Sequence, residues 1–174
     1  SYPKTDDPSF INKIYEKREF NYHTIEKRKK INDYNDLKKH RNKICKTEVE
    51  LQPYQAILPN IINPDTLFTG LLMFFGPGAG KTIGAVRVAE QFVPMIQKYN
   101  TKIHILVPGP LIKESWKDEI IKGTGETYLK NHDETMGYHD EAEKEKMMRQ
   151  AKYNASQNYK IMSYRGFHKK ALGQ

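Results

Sequence analysis

The residues of this chain whose types and spacing best suit chemistry are Gly76, Gly78, Gly80, Lys81 and Thr82. They follow an apolar run, LLMFF at 71–75, and precede a stretch with helical apolar spacing. Glycine allows left-handed backbone conformations and close approach of an anion to main-chain N–H groups. A strand, a glycine loop, Lys-Thr and a helix, in that order, predict a phosphate-binding P-loop.

Each residue of this loop has an expected role. The amides of Gly78, Ala79, Gly80 and Lys81 would donate to phosphate oxygens, helped by the positive end of the helix dipole. The Lys81 ammonium would reach the β- and γ-phosphates, and the Thr82 hydroxyl would bind Mg²⁺. We therefore expect ATP and Mg²⁺ as cofactors, with Lys81 and Thr82 as the catalytic candidates and Thr82 as the metal ligand.

Two positions depart from the strict P-loop pattern. Phe75 stands where that pattern has glycine, and Pro77 has no N–H to donate to a phosphate. The alternative interpretation is a glycine turn that only joins a buried strand to a helix. We favour the P-loop because a structural turn does not require Lys-Thr at the start of the helix.

Composition limits the classes of protein. The 174 residues carry a net charge of +8, which indicates a polyanionic partner. One cysteine, Cys45, excludes an internal disulfide, and no apolar stretch approaches the roughly 20 residues that cross a bilayer. The N-terminal residues do not resemble a signal peptide. We expect an intracellular protein that is neither secreted nor bound to a membrane.

The chain divides into two predicted parts. Residues 1–48 form a basic, irregular or helical arm, whose basic run at 27–30 is either a phosphate-contacting or localisation patch or, as we favour, a solvated face. Residues 49–174 form an α/β domain, because strands alternate with helices and such an order predicts a parallel sheet. The strands are expected at 71–75, 102–107 and 159–164, and the helices at 51–62, from 81 onwards, at 111–121 and at 140–155.

Two side chains outside the loop have specific expectations. Gln55 precedes the P-loop by about twenty residues, and a glutamine amide can hydrogen-bond both the donor and the acceptor edge of adenine. Trp116 lies on the apolar side of the helix at 111–121 and is expected to anchor the core.

Taken together, ELQPYQ, LLMFFGPGAGKT, IHILVPGPLIKESW and YKIMSYRGF resemble the first half of a superfamily 2 helicase core. They look most like the Swi/Snf-related, poxvirus-type helicases of large DNA viruses, the group with early transcription factor small subunits and nucleoside triphosphatase I. The resemblance covers residues 50–167. Superfamily 2 tolerates residues other than glycine at the position of Phe75.

The resemblance implies a partial RecA-like P-loop domain with ligands at the carboxyl ends of its strands. It assigns adenine recognition to Gln55 and phosphate binding to the glycine loop. Pro108 and Gly109 would touch a nucleic-acid phosphate, and Ser163 and Tyr164 match a further backbone contact more loosely. The expected partners are nucleic acid, DNA in preference to RNA, and viral transcription machinery or virion proteins, in the host cytoplasm or the virion.

Helicase hydrolysis needs a carboxylate pair, the DExH box, after a further strand. No Asp or Glu follows Glu145, and the acidic residues at 132–134 and 139–141 do not follow an apolar strand. The expectation is thus the nucleotide-binding N-terminal portion of a helicase or translocase, with its own ATPase activity left open. The alternative is a structural or virion-associated module without ATPase activity; a P-loop kinase fits less well.

Overall fold

The computed structural model describes residues 2–23, 31, 33–44, 51–129 and 141–173. Within them, the helices before the glycine loop are α1 Phe10–Tyr15, α2 Arg18–Asn21, α3 Tyr34–Ile44, α4 Pro53–Ala56 and α5 Leu58–Ile61. The elements after it are α6 Lys81–Glu90, α7 Val93–Lys98, β1 Ile103–Val107, α8 Pro110–Thr124, a 3₁₀ turn Gly125–Tyr128, α9 Glu141–Asn158, β2 Tyr159–Ser163 and α10 Tyr164–Ala171.

The strands β1 and β2 pair in parallel, as the alternation of strands and helices predicts. Ile103 lies opposite Tyr159 at the amino ends, and Val107 lies opposite Ser163 at the carboxyl ends. A parallel pair needs a long crossover, which here includes α8 and α9. The predicted α/β class is therefore confirmed.

The core lies where α6, α8, α9 and β2 meet. Its buried side chains are Val86, Ile120, Ile121, Tyr128, Ala151, Ala155 and Tyr159. Trp116 packs against this cluster, as predicted. A Cβ atom at Gly123 would lie 3.1 Å from Val86 Cγ1, so this glycine allows α8 to approach α6 closely. This packing fixes the helix that follows the glycine loop.

The predicted strand at 71–75 is wrong. These residues have no regular secondary structure, and the side chains of Leu72 and Phe74 are 89% and 96% exposed. The apolar run satisfies the local pattern of a buried strand. A strand also needs a hydrogen-bonded neighbour, and both described strands pair only with each other.

The residues after β2 form a helix, α10, that the sequence interpretation missed. Ser163 is the N-cap of α10, and its Oγ accepts a hydrogen bond from the Gly166 N–H at 3.1 Å. A serine before a short helical segment is the signal that could have predicted it. The predicted helix from 81 onwards ends at Glu90, and Pro94 lies in the first turn of the next helix, α7, where a proline needs no N–H donor.

Residues 2–23 of the N-terminal arm pack on α5 and the loop after it. Phe20 is buried, and the Asn60 side chain donates from Nδ2 to the Glu19 carbonyl at 2.7 Å. Phe68 takes edge-to-face contacts from Tyr2 and Phe10. The basic run at 27–30, Cys45 and the acidic residues at 132–134 and 139–140 lie outside the described residues.

Candidate functional site

The glycine loop runs directly into the N-terminus of α6. Gly78 and Gly80 have φ angles of 73° and 68°, whereas Ala79 between them does not have a positive φ. Alternation of right- and left-handed residues is the geometry of a backbone nest, in which successive N–H groups can face one anion. Gly80 is also the N-cap of α6, so the free amides of the first helical turn continue the nest.

The amides of the loop differ in availability. Within the described residues, the N–H groups of Gly78, Gly80 and Lys81 donate to no carbonyl, whereas the Ala79 N–H makes a long hydrogen bond of 3.4 Å to the Gly76 carbonyl. A Cβ atom at Gly76 or Gly78 would meet no heavy atom within 4 Å. The loop therefore has open space beside it and donors suited to a polyphosphate.

The Lys81 side chain folds back over its own loop. Its Nζ donates to the carbonyls of Phe75 at 2.9 Å and Gly76 at 3.0 Å. The ammonium thus lies beside the loop, and it would exchange carbonyl partners for phosphate oxygens when an anion binds. Thr82 is half-buried in the first turn of α6, and its hydroxyl has no hydrogen-bond partner among the described side chains and carbonyls.

Gln55 is joined to the glycine loop across 25 positions of sequence. Its side chain is only 5% exposed, and Nε2 donates to the Gly80 carbonyl at 2.9 Å. Its Oε1 accepts from the Gln52 N–H at 2.8 Å. Because both polar atoms bond backbone groups, adenine recognition would require Gln55 to exchange one of these bonds.

An aromatic contact that the sequence interpretation did not include holds the other end of the loop. The rings of Tyr54 and Phe75 meet edge to face, with centroids 5.4 Å apart. Gln55 and Tyr54 both belong to α4, so this short helix contacts the loop at both ends. The aromatic residue at the usual glycine position was the available signal, since it indicates a packing partner there.

The four predicted nucleic-acid contacts lie at one edge of the sheet. Pro108 and Gly109 follow β1, and Ser163 and Tyr164 end β2 and begin α10. Since Val107 and Ser163 are register partners, these two connections are neighbours. Gly109 is the N-cap of α8 with extended backbone, so a helix N-terminus also faces this edge.

Metal ligands are sparse in the described residues. They hold no cluster of three or more His, Cys, Asp or Glu side chains that could bind a metal ion. The chemistry of Thr82 fits a Mg²⁺ that also takes phosphate oxygens and water, because Mg²⁺ is commonly held by few protein ligands. In the part of the chain that the structure describes, no helix has both the length and the apolar character for crossing a membrane.

The fold and the loop define an α/β protein with a parallel sheet and a P-loop sequence, an architecture compatible with a partial RecA-like domain. No family model matches the chain, and no solved structure matches it. Curated proteins of large DNA viruses do match the chain in sequence. The chain is 45% identical over all 174 residues to an Acanthamoeba polyphaga mimivirus protein named a putative ATP-dependent RNA helicase, and it spans 15% of that protein.

Two further relatives agree with this one. A second mimivirus protein with the same type of name is 34% identical over 120 residues, which are 69% of this chain and 18% of the relative. A putative helicase of Invertebrate iridescent virus 3 is 43% identical over 44 residues, which are 25% of this chain and 4% of the relative. The chain thus has homologues named as helicases in large DNA viruses and spans a small part of their length.

Proposed function

We propose that this chain is the nucleotide-binding portion of an ATP-dependent helicase or translocase. One observation carries the proposal: a glycine loop with two left-handed residues opens directly into α6, and Lys81 and Thr82 occupy the first two positions of that helix. The names of the viral relatives support ATP as the nucleotide. The proposed group is the poxvirus-type superfamily 2 helicases, with a role in viral transcription.

In this proposal the chain's own residues bind and orient ATP. The loop amides and the α6 dipole would hold the phosphates, and Lys81 would leave the carbonyls of Phe75 and Gly76 to neutralise their charge. Thr82 would contribute a hydroxyl oxygen to Mg²⁺, which supplies Lewis acidity at the phosphates. Gln55 would read adenine by releasing one of its two backbone bonds.

The proposed nucleic-acid contacts are the neighbouring connections at the carboxyl ends of β1 and β2. Phosphate contacts of this type position a nucleic acid without reading its sequence. The resemblance favours DNA, whereas the names of the two mimivirus relatives mention RNA. We therefore propose nucleic acid as the partner, and binding of single strands of DNA and of RNA with one sequence compares the two directly.

Nucleotide binding tests this proposal at the residue that matters most. We expect a fluorescent ATP analogue to bind the chain in the presence of Mg²⁺, and we expect Lys81→Ala to weaken that binding about 10- to 100-fold, because a charge-assisted contact contributes roughly 1.5–3 kcal/mol. Lys98→Ala, at the exposed end of α7, is the matched control and should bind as the unsubstituted chain does. Equal affinity of the Lys81 variant would contradict the P-loop assignment.

A second candidate function is a structural or virion-associated module without ATPase activity. Two observations favour it: Pro77 removes a donor from the loop, and the Lys81 ammonium is bonded to loop carbonyls. In that case the unsubstituted chain would not bind the ATP analogue, and Lys81→Ala would change neither its folding nor its association with other proteins.

A further inference from the structure

A cavity of about 260 Å³ lies between α8, α9 and the amino end of β2, apart from the glycine loop. Its lining includes Lys113 and Lys117 from α8, Lys152 from α9 and Lys160 from β2. The other lining residues are Ile120, Ala155, Ser156, Tyr159 and Ile161, so the lining contains no carboxylate. Four ammonium-bearing side chains from three elements therefore surround one concave, partly apolar space.

Two of these lysines have acidic partners beside the cavity. Lys117 pairs with Glu114 at 2.8 Å, and Lys152 pairs with Asp118 at 2.6 Å. Among the described residues, no carboxylate lies within ion-pair distance of Lys113 or Lys160. The site therefore has an excess of positive charge that the described carboxylates do not neutralise.

More lysines adjoin the cavity at its β2 side. Lys102 precedes β1 and donates from Nζ to the carbonyl of Ser156, a lining residue, at 2.7 Å. A hydrogen bond to Lys170 and the charges of Lys170 and Lys102 lower the pKa of Lys160. On the α8 side, a hydrogen bond from Lys117 and the charges of Lys117, Lys152 and Lys113 lower the pKa of Glu114. Both shifts reflect the same convergence of ammonium groups.

We propose that this lysine-lined cavity is a second phosphate-binding surface for single-stranded nucleic acid. The inference rests on the proposed nucleic-acid binding and extends it to a site that the sequence motifs do not include. Lys160 lies three residues before Ser163 along β2, which corresponds to about 10 Å in a strand. A strand of nucleic acid that contacts the carboxyl-end connections can therefore continue along the edge of the sheet to the cavity.

The shape and charge of the cavity favour a phosphodiester backbone over an α-helical protein segment. An α-helix is about 10–12 Å wide, and a cavity of this volume cannot enclose one. Lysines act as flexible point charges that bind phosphates without reading the base sequence. The chain's net charge of +8 adds long-range attraction for the same kind of partner.

The test is the salt dependence of oligonucleotide binding by the full chain carrying Lys113→Gln and Lys160→Gln. These two lysines are chosen because their removal leaves no described carboxylate unpaired. Each phosphate contact with a single strand contributes about 0.7 to the slope of log K against log salt, so we expect the slope to fall by about 1.4. Fluorescence anisotropy with labelled single-stranded DNA and RNA of one sequence measures it.

A charge-matched control carries Lys144→Gln and Lys146→Gln, at exposed positions of α9 outside the cavity. We expect this control to keep the slope of the unsubstituted chain, and we expect both double variants to bind the ATP analogue normally. If the unsubstituted chain binds oligonucleotides and the cavity variant keeps its slope, this inference is wrong while the proposed function stands.

Two other outcomes are decisive. Loss of polyaspartate binding by the cavity variant, with unchanged oligonucleotide binding, would assign the cavity to an acidic protein partner and overturn the inference. If the unsubstituted chain binds neither DNA nor RNA, the proposed nucleic-acid function itself fails, and this surface fails with it.

Discussion

The amide side chain of Gln55 joins two backbone groups, the N–H of Gln52 and the carbonyl of Gly80. A Cβ atom at position 80 would lie 2.2 Å from Gln55 Nε2, so glycine is needed there for contact as well as for its φ of 68°. The glycine loop could be predicted because its residues are consecutive. The contact with Gln55 could not, because only the fold brings α4 to the loop.

Substitution of Gln55 separates positioning of the loop from recognition of the base. Gln55→Ala removes two hydrogen bonds to part-buried backbone groups. We expect a loss of about 1–3 kcal/mol in unfolding free energy, because each bond contributes about 0.5–1.5 kcal/mol. Displacement of Gly80 should weaken the binding of ATP and of GTP by the same factor. If Gln55 also contacts adenine, its removal should weaken ATP binding further and leave GTP binding at that level. The ratio of the two dissociation constants measures that addition.

The control for this substitution is Gln157→Ala, at an exposed position near the end of α9 and outside the contacts of the glycine loop. An unchanged ATP-to-GTP ratio in the Gln55 variant would show that the residue positions the loop and does not read adenine. Unchanged affinity for both nucleotides would contradict either role.

At the scale of elements, a buried polar network joins α6, the 3₁₀ turn and β2. The Glu90 carboxylate accepts hydrogen bonds from the hydroxyls of Tyr128, at 3.0 Å, and Tyr159. Asn158 donates to the Tyr128 hydroxyl at 2.9 Å. Burial is the main cause that raises the pKa of Tyr128 to about 12, and burial with the Glu90 bond raises the pKa of Tyr159 further.

This network predicts a loss of stability at alkaline pH. Above the ordinary tyrosine pKa of 10.0 the unfolded chain ionises Tyr128, whereas the folded chain keeps it protonated until about pH 12. The unfolding free energy should therefore fall as pH rises through this interval. Tyr128→Phe should cost about 1–2 kcal/mol at neutral pH and reduce the alkaline loss.

Thermal unfolding across a pH series measures both effects. Tyr153→Phe, at a position of α9 that is 63% exposed, is the control and should follow the unsubstituted chain. An alkaline loss of equal size in the Tyr128 and Tyr153 variants would mean that Tyr128 is not the group responsible.

At the scale of the whole molecule, sequence patterns predicted the elements that the core supports and failed for those it does not. One buried cluster includes side chains from α6, α8 and both strands. The apolar spacing in these elements therefore corresponds to an actual packing contact. The run at 71–75 has an equally apolar sequence, yet no described strand pairs with it. Local pattern alone cannot supply the neighbour that a strand requires.

The exposed apolar run at 71–75 predicts that chains associate with one another in solution. Phe74 is 96% exposed and Phe75 is half-buried against Tyr54, so two adjacent phenylalanines have opposite surroundings. Exposed, strand-competent apolar residues promote association between chains. We expect Phe74→Ser to reduce concentration-dependent light scattering while changing the unfolding free energy by less than about 0.5 kcal/mol.

Phe75→Ser is the matched comparison, because it removes the same side chain one position further along. It should lower the unfolding free energy by about 1–2 kcal/mol through the lost ring contact and buried area, and it should weaken ATP binding by freeing the start of the glycine loop. Equal destabilisation by the two substitutions would mean that residue 74 is buried in solution. That result would indicate that the apolar run at 71–75 packs against another part of the protein, as the predicted strand requires.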